Sequence, residues 1–298
     1  VDIGGTGIKA APVDLDTGEL LAERFKLPTP KPSTPDAVGT VVAETVEHFG
    51  WQGSLGVTFP AVVKDGIALT AANVDKSWIG ASIHDAIRPH VPGEVVALND
   101  ADAAGLAEVR FGAAKGVNGV VLVLTLGTGI GSALVLDGKL FPSAELGHLE
   151  VDGKEAERRA SGAVREVRKL SWKKWCKQLQ RVLETYEALL WPDLIVLGGG
   201  VSAKADEFLP LLHTRAKIVP AALLNTAGIV GAAIWADEHP STAPAPAAPV
   251  RRPRKVATAS TPAAPATPGA PAATPVAKAA PRKRTTAKKA PAKTTPPA

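Results

Sequence analysis

Val1-Asp2-Ile3-Gly4-Gly5-Thr6-Gly7-Ile8-Lys9 opens the chain, and a second stretch of the same kind, Val123 to Leu134 (VLTLGTGIGSAL), returns in its middle. Each is a strand-like apolar run that feeds a Gly-Thr turn. Glycines let the backbone approach an anion, successive peptide N–H groups face into the turn, and the Thr hydroxyl adds a donor, so turns of this kind hold phosphates. Between them stand Asn99 and Asp100. Two phosphate turns and an acid able to take a proton describe a cleft that sets a phosphoryl donor against a hydroxyl, which is the layout of a kinase.

Two other phosphate motifs are excluded. Gly5-Thr6-Gly7-Ile8-Lys9-Ala10 matches the dinucleotide pattern GxGxxA, but that pattern must open a helix, and here Pro12 and a hairpin signal continue the chain as strand. No GxxxxGK followed by Ser or Thr occurs, so there is no Walker loop. The hairpin is read from Ile8 to Val13 and Leu20 to Leu27 around Asp14-Leu15-Asp16-Thr17-Gly18. A helix is expected from Thr34 to Phe49, with Val38, Val41, Val42, Thr45 and Phe49 near one face, then short strands at Leu55 to Phe59, Ile67 to Thr70 and Val95 to Leu98. The order partly repeats: strands at Val120 to Leu126 and Gly131 to Leu136, a long helix at Ser171 to Leu190, and a strand at Leu194 to Leu197. A duplicated α/β unit with a phosphate turn opening each copy is the economical reading.

The long helix is amphipathic, with Trp172, Trp175, Leu179, Val182, Leu183, Tyr186, Leu189 and Leu190 on the core side. Lys173, Lys177 and Arg181 form a basic stripe beside Lys174 that reads either as a solvated face or as an anion track.

Charge divides the chain. The net +5 is +11 on residues 241–298, which hold no Asp or Glu, and −6 on the remainder, with 23 Lys or Arg against 29 Asp or Glu. The tail also holds 13 of the 26 prolines and is expected to be disordered, its Lys/Arg clusters at Arg251 to Lys255 and Arg282 to Lys289 binding polyanions non-specifically by charge. A lone cysteine, Cys176, excludes an internal disulfide, and no apolar run reaches the roughly 20 residues of a membrane span. A cytoplasmic protein with no membrane contact is expected. With no Met in the chain and only Val1, Asp2 and Ile3 ahead of the first turn, residues are expected upstream of Val1.

The stretches DIGGTGIK from Asp2, LNDADAAG from Leu98, TLGTGIGSAL from Thr125, ELGH from Glu145 and VLGGGVS from Val196 resemble the ROK sugar kinases of the sugar kinase, Hsp70 and actin superfamily. GVTFPAVV from Gly56, NVDKSWIG from Asn73, ELGHLEVDGKEAERRASG from Glu145 and LLWPDLIVLGGGVS from Leu189 resemble the polyphosphate-using glucokinase branch. The resemblance implies an α/β fold of two ribonuclease-H-like domains closing on a central cleft: residues 1–108 with 226–238, and 109–225, followed by the disordered tail 241–298. A last helix from Thr226 to Asp237 would pack back on the first domain. It further implies phosphoryl transfer from polyphosphate, and from ATP, to the 6-hydroxyl of glucose, with Mg²⁺ and a homodimer. Most family members carry a zinc box of cysteines after the GH pair. This chain has none between His148 and Glu157, so no zinc is expected and His148 becomes a sugar ligand.

Carried onto this chain, the resemblance makes Asp100 the general base and Asn99 the holder of a neighbouring hydroxyl. Glu145, His148 and Glu157 would bind ring hydroxyls, and Asn73 would touch the sugar or shape its loop. Asp2 would orient Mg²⁺ through water. The donor phosphates would lie on Gly4, Gly5, Thr6, Gly7 and Lys9, on Gly127, Thr128 and Gly129, and on Gly198, Gly199 and Gly200. Arg158, Arg159, Arg165, Arg168, Lys169, Lys173 and Lys174 are candidates for a basic lane that leads a polyphosphate chain to the turns. Asp102 is assigned to surface charges and helix caps. The alternatives are an ATP-dependent ROK kinase for another hexose, a ROK transcription regulator whose helix-turn-helix precedes Val1, and a kinase body whose tail is a nucleic-acid-binding arm.

Overall fold

The first turn is bounded by two short strands, β1 (Asp2–Ile3) and β2 (Gly7–Ala10), which pair antiparallel with Ile3 opposite Ile8. The structure, a computed structural model, describes residues 1–240. Expectations for 241–298, disorder and polyanion binding among them, lie outside the described residues. β3 (Phe25–Pro28) adds to β2 antiparallel, with Gly7 opposite Pro28 and Ala10 opposite Phe25. Only an isolated bridge, Val13 to Leu20, continues the hairpin toward its turn. The helix α1 (Pro35–His48) starts with proline at its first turn, buries Val38, Val42, Thr45 and Val46, and gives way to Gly50 at φ 58°, the left-handed position where glycine is favoured.

β4 (Leu55–Phe59), every residue of it buried, joins β1 parallel. The run read as a strand from Ile67 to Thr70 forms one only over Ile67–Ala68, and it lies outside this sheet. β5 (Val63–Lys64) and β6 (Ile67–Ala68) instead form a separate two-stranded hairpin, tight because Asp65 and Gly66 both adopt positive φ. After α2 (Ile83–Ile87), β7 (Val95–Asn99) completes the sheet beside β4 and runs directly into α3 (Asp100–Arg110).

The second half repeats this plan. β8 (Val120–Leu126), β9 (Ile130–Leu136) and β10 (Lys139–Phe141) pair antiparallel in succession. A small hairpin of β11 (Glu150–Val151) and β12 (Lys154–Glu155) leads to α4 (Ala156–Ala160), α5 (Gly162–Val167) and the long α6 (Trp172–Leu190). β13 (Leu194–Gly198) then joins β8 parallel and, after α7 (Ala205–Phe208), β14 (Lys217–Pro220) joins β13 parallel. The two sheets run β3-β2-β1-β4-β7 and β10-β9-β8-β13-β14, one topology used twice. α8 (Ala227–Glu238) packs on α3, β4 and β7. The contact is so close that a Cβ on Gly56 would lie 1.8 Å from the Ala232 carbonyl oxygen, so glycine is required there.

α6 buries Trp175, Leu179, Val182, Leu183 and Tyr186 completely, each contributing about 1.5–3 kcal/mol. Leu189, read as part of the same stripe, is 62 % exposed instead, in the last turn of the helix, which ends at Trp191 in the left-handed conformation before Pro192. By their internal contacts the described residues 1–240 form one unit. No helix of the described residues is long and apolar enough to cross a membrane.

Candidate active site

β1, β4 and β7 run parallel in one sheet and β8 and β13 run parallel in the other, and in α/β sheets ligands bind beyond the ends where the chain leaves such strands as a turn or helix start. Here the ends line a cleft of about 620 Å³. Gly4, Gly5 and Thr6 come from the end of β1, Asn99 and Asp100 from the end of β7, and Gly127, Thr128 and Gly129 from the end of β8. Gly199 follows β13, and Asn73, Glu145, His148 and Glu157 close the cleft from loops and α4. A smaller cavity of about 180 Å³ shares Asp100, Thr125 and Gly199 with it and adds Asp2, Lys9 and Gly198. Gly7 and Gly200 line neither space. Gly7 is the first residue of β2, where a Cβ would meet the movable end of the Lys26 side chain at 2.6 Å and the Leu27 carbonyl oxygen at 3.3 Å.

Both turns are built by their own backbone. The Gly4 N–H donates to the Gly7 carbonyl at 3.0 Å, and Thr29 Oγ1 donates to the Gly4 carbonyl. In the second turn Gly127 N–H donates to the Gly129 carbonyl at 3.1 Å, and the Gly127 carbonyl accepts from Ala163 N–H at 3.0 Å, which seats α5 on the turn. Thr6 and Thr128 are exposed at the turn tips. Asn73 packs on Gly5, and the Glu157 carboxylate presses on Gly129: added Cβ atoms would stand 3.2 Å and 2.3 Å from them. Gly199, at φ 81°, lies against the Leu126 backbone at the end of β8.

Asp100 is the first residue of α3. Its carboxylate accepts from Ala101 N–H at 2.9 Å, and the residue is exposed to the cleft although protein packs densely around it. Burial, and next the negative charge of Asp2, push its carboxyl up to about 6. Asn99 caps the helix: its oxygen accepts from Ala101 and Asp102 N–H at 2.7 and 3.1 Å, and its amide donates to the Ala61 carbonyl at 2.9 Å. One amide hydrogen is left for a ligand. Asp2 is held from both sides, by Thr58 Oγ1 at 2.9 Å and Lys9 Nζ at 3.2 Å. Thr58 was not singled out from the sequence, and its signal is a lone hydroxyl residue within the apolar run of β4.

His148 is 58 % exposed, with Nε2 3.9 Å from Glu145 and Nδ1 3.6 Å from Glu155, which also pairs with Arg158. Burial raises the Glu145 carboxyl. Among the described residues, His148, Glu155 and Glu157 bring one nitrogen or oxygen each within 4.8 Å of one another.

Several sequence assignments change. Asp102 is no surface charge but is 2 % exposed, because α3 turns that face inward, and burial pushes its carboxyl up to about 7. Arg181 leaves the basic stripe through its bonds to Asp152 and Glu184, and Arg159 leaves the proposed lane by donating to the Val151 carbonyl. Arg165 lies over the Trp172 ring, 3.4 Å from its centre.

A family profile described as ROK family matches residues 1–163, more than half of the chain, and it spans the first turn, the Asn99-Asp100 pair, the second turn and Glu145 to Glu157. The chain belongs to the ROK family. Among its ROK relatives is a polyphosphate glucokinase of Mycobacterium tuberculosis, 57% identical over 235 residues, covering 78% of this chain and 89% of that protein. The structure of an inorganic polyphosphate/ATP-glucomannokinase from Arthrobacter sp. strain KM superposes with a TM-score of 0.77 at 51% identity, covering 80% of this chain and 97% of the other. A ROK family glucokinase from Streptomyces griseus, solved with glucose and AMPPNP, gives 0.68 at 27% identity over 80% and 98%.

Proposed function

We propose that this ROK chain transfers a phosphoryl group from inorganic polyphosphate, and from ATP, to the 6-hydroxyl of glucose. The observation that carries the reading is the placement of Asp100, on the first turn of a helix between two glycine turns and in one cleft with Glu145, His148 and Glu157. Asp100 accepts the hydroxyl proton as the sugar oxygen bonds to the terminal phosphorus, whose bond to the bridging oxygen breaks so that the shortened polyphosphate, or ADP, leaves with the electron pair. Its raised proton affinity suits that role, since a base near the working pH both stays ionised and holds the proton it takes. Glu145, His148 and Glu157 bind ring hydroxyls, Asn99 gives its remaining N–H, and Asn73 shapes the sugar side through Gly5. The turn amides with Thr6 and Thr128 hold donor phosphates, where preorganised donors act without reorganisation.

Asp2 fits a water-held Mg²⁺. It is a hard oxygen donor beside the phosphate turn, and such sites need only one or two carboxylates because the ion keeps several waters. Bound there, Mg²⁺ supplies positive charge to the donor oxygens. Lys9, paired with Asp2, adds a fixed cation.

The two sheets act as lobes, 1–108 with 226–238 and 109–225, closing over the substrates in a cytoplasmic homodimer. A polyphosphate chain leaves the second turn along α5 and the start of α6. Arg168, Lys169, Lys173, Lys174 and Lys177 are exposed there, and none pairs with another described residue. The cations of 241–298 gather the same polyanion by charge.

Glucose 6-phosphate formation measured with polyphosphate, ATP and GTP supplied separately tests the reading. Product from polyphosphate and from ATP is expected, and no product from either refutes it.

A further inference from the structure

Asp102 lies two residues along α3 from Asp100, and nothing in the chemistry above uses it. Its Oδ2 accepts a hydrogen bond from the Ser143 backbone N–H at 2.8 Å, while Oδ1 is buried with no hydrogen-bond partner among the described residues. A carboxyl in such a place disfavours folding unless another requirement retains it. The stretch it grips is the one that carries Glu145. Between Phe141, 61 % exposed, and Gly147 no residue of that stretch is fully buried; Leu146 leans on the core and its carbonyl accepts from the Tyr186 hydroxyl at 2.7 Å, while the residues ahead of it are positioned by polar ties. Ser132 Oγ donates to the Ala144 carbonyl and accepts from Leu146 N–H at 2.9 Å, tying the stretch to β9 of its own sheet. Ser143, at φ 60° in the left-handed region, donates through Oγ to the Val63 carbonyl at 2.9 Å. Only the Asp102 bond reaches the helix that starts with Asp100.

We propose that Asp102 is a positioning residue that holds Glu145 and the base Asp100 in one frame. α3 carries both Asp100 and Asp102, and the bond to Ser143 transmits the position of α3 to a point two residues before Glu145. The inference rests on the reading of Glu145 as a sugar ligand. Its effect is on glucose, not on the donor, because the bonds that hold the donor turns come from the turns themselves, Thr29 and Ala163, and none comes from Asp102 or Ser143.

The test measures glucose binding by calorimetry without donor, on the full chain, for wild type, Asp102→Ala, Glu145→Gln and the double variant. Asp102→Ala should weaken glucose binding about tenfold, the size of one lost bond to a charged group, while the KM for ATP stays within about twofold. Asp102→Asn, whose amide oxygen can still accept from Ser143, should restore most of the affinity. In the Glu145→Gln background Asp102→Ala should add less than about twofold, because the group it positions has already been altered. Wild-type glucose affinity in Asp102→Ala, or an undiminished loss in the double variant, overturns the proposal. If Asp102→Ala does not fold, Asp102→Ser, whose oxygen is one bond shorter, carries the same comparison. A wild-type protein that binds no glucose would instead refute the sugar kinase reading itself, a distinct result.

Discussion

The pH dependence of kcat/KM for glucose follows from where Asp100 stands. In the proposed role of base its carboxyl, pushed up to about 6 by burial and by Asp2, has to be ionised to accept the hydroxyl proton. Below that value activity should fall tenfold per pH unit, leaving about a tenth at pH 5, where a carboxyl at its ordinary value would keep more than about nine tenths. The assay is initial rate at low glucose and saturating ATP between pH 5 and 9, with stability checked at each end. Asp2→Asn removes the second cause of the shift, so its profile should bend at lower pH even though its rate is reduced. Asp102, which burial pushes up to about 7, is not among the charges that shift Asp100, so Asp102→Asn should leave the bend in place. A bend below pH 5 in the wild type, or one that rises in Asp2→Asn, would refute the reasoning.

Asp100→Asn keeps the shape and removes the base, so turnover should drop at least ~10²-fold with glucose affinity changed far less; a variant keeping most of its turnover removes Asp100 from the chemistry. Activity should require Mg²⁺ and survive a zinc chelator, and stoichiometric zinc in purified protein, held for instance by His148, Glu155 and Glu157, would contradict this. Lys173→Glu with Lys177→Glu should raise the KM for long polyphosphate at low salt and spare ATP; equal KM values for both donors before and after would return these lysines to a solvated face. The folded-state value of Asp102 lies above that of an unfolded chain, so the stability it contributes is complete below about pH 4 and lost as pH rises through about 7. Chemical denaturation should therefore find Asp102→Asn more stable than wild type at pH 8 and no more stable at pH 4, with an equal difference at both values counting against a buried, titrating carboxyl.

Local pattern alone specified a good deal of this protein. Glycine at Gly4, Gly5, Gly127 and Gly129 marks the two turns because a residue without Cβ lets the backbone come close to an anion, and the apolar runs around them place β1, β4, β8 and β13 in a duplicated order. An acid after a strand, between two phosphate turns, made Asp100 a candidate base, and the fold sets it in one cleft with both turns. The family likeness placed Glu145, His148 and Glu157, which composition would leave among surface charges. What tertiary structure decided is which side each polar group faces and what it meets. Asp102 differs from Asp100 by two helical positions, about 200° of rotation, and that turns one acid toward the cleft and the other toward Ser143. The oxygen of Asn99 is occupied by its own helix, Arg181 by Asp152 and Glu184, and Asp2 by Thr58, a partner 56 residues away. Sequence periodicity reports the average environment of a face. A hydrogen bond depends on two atoms brought together by the packing of distant segments, and no local pattern contains that.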